Sequence, residues 1–194
     1  MVSKLKALEI EAAKAGLKIN TAKSKSMRCN TINTNRFKIR NVDLGDVTSF
    51  CYLGSIITSN DGSSNDVAYR ISRANQAFGM LSPIWKSAVI SFNTKIKLIN
   101  SCVKSALLYA SETWNALPRD INAVQVFANR CLRRILRIFR PATIANGNLW
   151  SLTNQRPIHT EILNRKWRWI GHTLLRFTGD IAKNAIDWTP QGNT

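Results

Sequence analysis

Arg130, Arg133, Arg134, Arg137 and Arg140 are the residues whose type and spacing bear most directly on chemistry. Steps of 4 and 3 place Arg130, Arg134 and Arg137 on one outer helix face, with Arg133 and Arg140 flanking them and no neighbouring Glu to neutralise the run. A guanidinium is a planar fork that makes two parallel hydrogen bonds to a phosphate, and it is less tightly hydrated than an ammonium. The run therefore reads as a phosphate-contacting surface in preference to a solvated helix face. A second cluster, Arg165-Lys166-Trp167-Arg168-Trp169 followed by Arg176, mixes cations with aromatic rings. Trp167 falls in the expected apolar seam, whereas Trp169 lies off it and either stacks on a base or sugar or widens the buried stripe. Arg70 and Arg73, on the solvent flank of an earlier helix, and Lys97 and Lys104, one heptad apart on another, complete the candidate nucleic-acid-binding set.

Catalytic patterns are absent from the text. There is no Gly-rich phosphate loop, no G-x-S-x-G, no His-Glu-x-x-His and no pair of adjacent Asp residues. His159 and His172 stand 13 apart with no Cys beside either, and read as core or surface histidines. Cys29, Cys51, Cys102 and Cys131 are widely separated, form no Cys-x-x-Cys, and read as reduced core thiols in preference to zinc ligands. The chain alone thus shows no acid, base or metal cage, and no cofactor is expected in it.

Composition agrees with a binding role. The 194 residues are 44% hydrophobic, which suits a globular chain, and 28 Lys and Arg against 11 Asp and Glu leave a net charge of +17. That surplus points to a polyanion, nucleic acid first and an anionic membrane surface second. No run of 18 to 20 apolar residues is present and the N-terminus is studded with Lys and Glu, so an intracellular protein is expected. Residues 119–194 hold 12 basic residues, 10 of them Arg.

The elements that must position these groups read as α+β, mostly α: a small N-terminal antiparallel sheet with one helix over 1–62, a helical bundle over 63–140, and a basic helical segment over 141–194. Leu5, Leu8, Ala12 and Ala15 space a helix that Gly16 ends. Short strands follow, the last including Phe50-Cys-Tyr-Leu-Gly-Ser55 and Ile56-Ile57, stopped by Ser59-Asn-Asp-Gly62. As an unbroken apolar run it is expected to have both faces covered, with Gly54 admitting a close approach. Ser63 and Asp66 stand at capping-box spacing before the seam Val67, Ile71, Ala74, Phe78 and Leu81. Ser91 caps the helix of Ile96, Ile99, Val103, Ala106 and Ala110. A long helix is expected from Pro118 to Phe139, stopped by Pro141. The last begins near Pro157 with the seam Leu163, Trp167, Ile170, Leu174 and Phe177.

In order and spacing, Glu11-Ala-Ala-Lys-Ala-Gly-Leu-Lys-Ile-Asn-Thr-Ala-Lys-Ser-Lys-Ser-Met27, Phe50-Cys-Tyr-Leu-Gly-Ser55, Arg70-Ile71, Ala77-Phe78, Trp85 and Leu107-Leu-Tyr-Ala-Ser-Glu-Thr-Trp114 resemble the C-terminal part of non-long-terminal-repeat retrotransposon reverse transcriptases. Gln155-Arg-Pro-Ile-His159, Arg165-Lys-Trp-Arg-Trp-Ile-Gly-His172 and Trp188-Thr-Pro-Gln-Gly192 are similar to the region after the thumb of that family. The resemblance implies an RNA-directed DNA polymerase whose two divalent metals, Mg, bind a Tyr-x-Asp-Asp turn. That turn is absent here, so a truncated enzyme, inactive alone, is expected. By resemblance Lys23, or alternatively Lys25, would sit near the incoming nucleotide's phosphates, and Phe50, Tyr52, Leu53 and Gly54 would form the primer grip. Residues 63 to about 140 would be the thumb, holding an RNA/DNA template–primer duplex by its backbone, with the enzyme's own palm and fingers as a further partner, no membrane, and a nuclear location. Many relatives end in a Cys/His zinc knuckle; this sequence does not, so no metal site is carried over. The rival readings are a non-catalytic helical interaction module and the functionless product of a decayed element.

Overall fold

The computed structural model describes residues 2–29, 35–59, 62–115, 117–177 and 180–187. The turn residues Asn60 and Asp61 and the stretch 188–192 lie outside the described residues. The fold is α+β and mostly α, and the chain divides into two compact units, Met1–Asp66 and Val67–Thr194.

The first unit opens with helix α1 (Val2–Lys14). Gly16 at φ 71 ends it in a Schellman turn, with Leu17 N–H donating to Ala12 O at 2.8 Å and Gly16 N–H to Ala13 O at 3.0 Å. Six short strands then form three separate pairs. β1 (Lys25–Ser26) runs parallel to β4 (Gly45–Asp46), while β2 (Lys38–Ile39) with β3 (Val42–Asp43) and β5 (Ser49–Tyr52) with β6 (Ser55–Thr58) are antiparallel hairpins. Both hairpin turns have two left-handed residues, Arg40-Asn41 at φ 51 and 63 and Leu53-Gly54 at φ 49 and 81, the geometry that matches strand twist. The ion pair Arg40–Glu9 at 2.7 Å ties the β2–β3 turn to α1, and Arg28–Asp46 at 2.9 Å ties the segment after β1 to β4.

The stretch from Phe50 to Ile57 differs from expectation in two respects. It is interrupted, because Leu53-Gly54 is the hairpin turn, so Gly54 stands in the turn at a positive φ and not within a strand. Its apolar side chains are also uncovered: Phe50 is 38% exposed, Tyr52 57% and Ile57 42%. A two-stranded ribbon has no neighbouring strand to bury them, and no third strand joins it among the described residues. Asp66, buried, accepts from Ile56 N–H at 2.9 Å and so ties β6 to the start of the next helix.

The second unit holds the large core. Helix α2 (Ser64–Met80) buries Val67, Ala74 and Phe78 on its apolar seam. The short α3 (Ser82–Lys86) buries Trp85, whose ring stacks on Phe78 at 5.0 Å and whose indole N–H donates to Phe78 O at 2.7 Å. Two cations serve the carbonyl end of α3. Buried Lys95 donates to Trp85 O at 3.2 Å and Ser87 O at 2.6 Å, and Arg137 donates to Lys86 O at 2.8 Å. Lys95→Met keeps the apolar stem but strands two carbonyls, so urea denaturation should show a loss of about 2 kcal/mol, the usual scale for hydrogen bonds to a charged donor.

Helix α4 (Phe92–Leu98) begins as read, with Ser91 Oγ accepting from Thr94 N–H at 3.2 Å. It runs directly into a π-helical segment, Ile99–Lys104, and then the short α5 (Ser105–Leu107). The wider π turn advances the helix face by a residue, so burial passes from Ile99 and Val103 to Leu107 and Leu108. A 3₁₀ turn (Ser111–Thr113) leads to α6 (Pro118–Ile135), which buries Val124, Phe127, Ala128, Cys131, Leu132 and Ile135. α6 stops sooner than Pro141 alone would require. Arg137 at φ 57 takes the left-handed position and Ile138 N–H donates to Arg133 O at 2.9 Å, a Schellman closure built without glycine.

Helices α7 (Asn146–Thr153), α8 (Ile158–Leu174) and α9 (Ile181–Asp187) follow. Buried Asn129 organises the junction of α6 with α7: its Oδ1 accepts from Trp150 Nε1 and Gln125 Nε2, both at 2.9 Å, and its Nδ2 donates to Asn146 Oδ1 at 3.1 Å. Gln125 Oε1 in turn accepts Ile158 N–H at 2.7 Å, satisfying a first-turn donor of α8. α8 is rotated relative to the expected seam. Ile158, Ile162 and Thr173 are buried, while Leu163, Trp167 and Leu174 are 46%, 67% and 48% exposed. The core thiols expected at four positions reduce to one, since Cys131 is buried and Cys29, Cys51 and Cys102 are exposed.

Candidate nucleic-acid interface

Residues 67–194 carry 18 Lys and Arg against 5 Asp and Glu, a surplus of +13. The ion pairs described there, Lys104–Glu161, Arg119–Asp120 and Arg176–Asp180, take up three of the cations. Arg130, Arg134, Arg140, Arg156 and Arg168 are exposed and have no carboxylate partner among the described residues.

Arg130 and Arg134 lie one turn apart on the exposed face of α6, in its last turns, where cations also suit the helix dipole. The Arg130 guanidinium rests 5.4 Å over the Phe127 ring, which holds part of its stem without using its hydrogen bonds. Arg133, half-buried, is spent on structure, donating to Ile144 O at 3.2 Å and Asn146 Oδ1 at 2.8 Å. Because α6 ends at Ile135, Arg137 and Arg140 are not on its face. Arg137 is exposed but tied to Lys86 O, and Arg140 stands in the following loop.

Arg70, expected on a solvent flank, is buried, with its guanidinium 4.4 Å over the Tyr109 ring and 5.8 Å from that of Tyr69. Arg73 is exposed on α2 beside Gln76. Lys97 is exposed, but the π turn rotates Lys104 off its face and into a bond with Glu161 and, at 2.9 Å, with Gln155 Oε1. On α8, Arg165 donates to Leu108 O at 3.2 Å, Lys166 is half-buried and Arg168 is exposed. Trp169 is 46% exposed, and Trp167, expected in the core, is the more exposed of the two. Arg176 pairs with Asp180 at 3.3 Å; the Ala182 N–H, more than that arginine, holds the Asp180 carboxyl below the usual range while it begins α9.

In the first unit, Lys23 and Lys25 are exposed and line one cleft with Leu5, Leu8 and Phe50. Lys25 lies along the backbone, its Nζ 3.5 Å from where a Cβ on Gly45 would stand. Phe50, Tyr52, Leu53 and Gly54 are brought together at the β5–β6 hairpin, with Leu53 75% exposed. Among the described residues no three His, Cys, Asp or Glu side chains cluster, and no helix is long and apolar enough to cross a membrane.

One nucleophile lies beneath the α6 arginines. Burial pushes the Cys131 thiol up to about 12, against the opposing pull of Arg130 and Arg134. The native state therefore keeps its proton where the unfolded chain loses it, so this contribution to stability is present below about pH 9 and is lost as pH rises towards about 12. Cys131→Val should flatten that alkaline fall, as read from melting temperatures across the same range.

Arg156, Asn129 and the Lys104–Glu161 pair were not singled out by sequence reasoning. Contacts between distant positions mark Asn129 and the ion pair, and the cleft it lines marks Arg156.

A family model described as a domain of unknown function (DUF6451) matches residues 77–109. The chain is 24% identical over 194 residues to an uncharacterized transposon-derived protein of Caenorhabditis elegans, covering 96% of this chain and 69% of that protein. No solved structure matches the chain.

Proposed function

We propose that the chain holds an RNA/DNA template–primer duplex by its sugar–phosphate backbone, as the thumb-side portion of a retrotransposon-derived reverse transcriptase. The observation that carries this reading is the exposed pair Arg130 and Arg134, without carboxylate partners among the described residues, on a unit of strong positive surplus. Such a surface neutralises phosphates without reading bases. The similarity to a transposon-derived protein supports the origin, and the resemblance of Phe50–Ser55 and of residues 107–114 supports the enzyme class. The exposed apolar side chains of this hairpin, Phe50, Tyr52 and Leu53, suit a surface pressed against a primer end. The 194 residues contain no adjacent Asp pair, so two-metal polymerase chemistry is not assigned to them.

The test is a salt titration of hybrid binding. With roughly six to ten phosphates neutralised, affinity falls about 10³- to 10⁵-fold between about 50 and 200 mM salt, with little dependence on sequence. A flat titration removes the reading.

A second reading, a helical module that docks on another protein, is favoured by the stripe Leu163, Trp167 and Leu174 left open on α8. Under it, Trp167→Glu abolishes partner capture and leaves hybrid binding as it was.

A further inference from the structure

An open cleft of about 360 Å³ lies in the second unit between the π-helical segment, the α7–α8 turn and one face of α8. Its size is at the small end of the range for small-molecule sites. Lys104 and Glu161 line it and neutralise each other. Three guanidiniums remain on the same cleft: Arg156 from the turn, and Arg165 and Arg168 one turn apart on α8. Arg165 is fixed by its bond to Leu108 O, while Arg156 and Arg168 have no carboxylate partner among the described residues. Asn100 and Asn164 add uncharged donors.

We infer that this cleft binds a terminal phosphate, a phosphomonoester or polyphosphate carried by a free nucleotide or by the 5′ end of a strand. Charge density decides between ligand types. An internal phosphodiester carries a single negative charge, and duplex phosphates are strung along a row that a helix face such as that of Arg130 and Arg134 can follow. Three arginine charges lining one open cleft, with Arg165 held to Leu108 O, instead match a group carrying about two charges or more, as a phosphomonoester does at neutral pH. The wall supports the same conclusion. Asn100 and Lys104 sit in a π turn, an uncommon geometry that recurs at functional sites, and here it carries Lys104 to Glu161, leaving the three arginines unopposed. The assignment goes beyond duplex holding and does not depend on it.

The experiment measures fluorescence anisotropy of a 3′-labelled single strand of about ten nucleotides bearing either a 5′-phosphate or a 5′-hydroxyl, with ADP titrated separately by calorimetry. An added phosphate in a bidentate arginine site should tighten strand binding about tenfold. Arg156→Gln/Arg168→Gln should abolish that gain, whereas Lys4→Gln/Lys6→Gln, the same change in charge on α1, should keep it. Both arginines are exposed, so melting temperature should be unchanged in the double variant. If ADP binds and loses its heat in the double variant while the two strands bind alike, the ligand is a free nucleotide. Equal affinity for both strands with no heat from ADP overturns the inference, as does a gain or a heat that survives in the double variant. Blunt hybrid binding, read in the same assay, reports on the α6 arginines; its loss alone leaves the cleft untouched.

Discussion

If the proposed function holds, Arg130→Glu/Arg134→Glu should bind an RNA/DNA hybrid roughly 100-fold more weakly than the unaltered chain at about 100 mM salt, two tenfold steps of about 1.4 kcal/mol each. On that proposal each swap removes a cation that would meet a phosphate and installs an anion that would repel it, so the slope of log affinity against log salt should also fall by about two. The fold should survive. Arg130 gives up its position over Phe127, worth about 0.5–1 kcal/mol, and each Glu faces the carbonyl end of α6 at a cost of about 0.3–1 kcal/mol. Arg137 is left in place because its tie to Lys86 O would confuse a loss of binding with a loss of structure. Lys4→Glu/Lys6→Glu alters net charge by the same amount on α1. If that control weakens binding as much, the effect belongs to overall charge and the α6 surface has no special part in it.

Trp85→Ala should be among the most damaging single changes in the second unit. The residue is 5% exposed, its ring stacks on Phe78 with planes 17° apart, and its indole N–H satisfies Phe78 O near the end of α2. Truncating a buried Trp costs about 3–5 kcal/mol, since the neighbours close only part of the space. That is a large share of the stability of an ordinary domain. Trp85→Phe separates the contributions: it keeps a ring on Phe78 but strands the carbonyl, and should cost about 1–3 kcal/mol. Urea melts read both. A midpoint for Trp85→Ala close to that of the unaltered chain would mean that the α2–α3 corner contributes little to the core.

Local rules carried the reading where burial followed one simple period. α2 repeats Val67, Ala74 and Phe78 and buries them, and Gly16 and Ser91 stand where a terminus needs them. α8 misled because it carries two periodic stripes. Leu163, Trp167 and Leu174 look like a core face, while the face actually covered contains the less conspicuous Thr173 and the half-buried stem of Lys166. At the end of α6 the left-handed residue is Arg137 where glycine is the usual signal, so Pro141 looked like the stop.

The candidate surfaces were legible only in part, for a related reason. Arg130 and Arg134 are exposed as a helical spacing implies. Arg70 has its charge over a ring 39 positions further on, Lys104 meets a carboxylate 57 positions away, and no spacing rule reaches that far. The hairpin at Leu53-Gly54 looked like a continuous strand because leucine rarely takes the first place in such a turn.

The π-helical segment amounts to one residue of slack wound into an otherwise regular rod. Excising a single exposed position from it, Ser101, would let residues 92–107 rewind as ordinary α-helix while everything C-terminal keeps its present phase, because six steps of about 100° then separate Lys97 from Lys104. Lys104 would stay about 120° away from the side of Lys97 and keep its place against Glu161. A one-codon deletion there thus leaves the electropositive hollow as it is, without changing a single side chain that lines it.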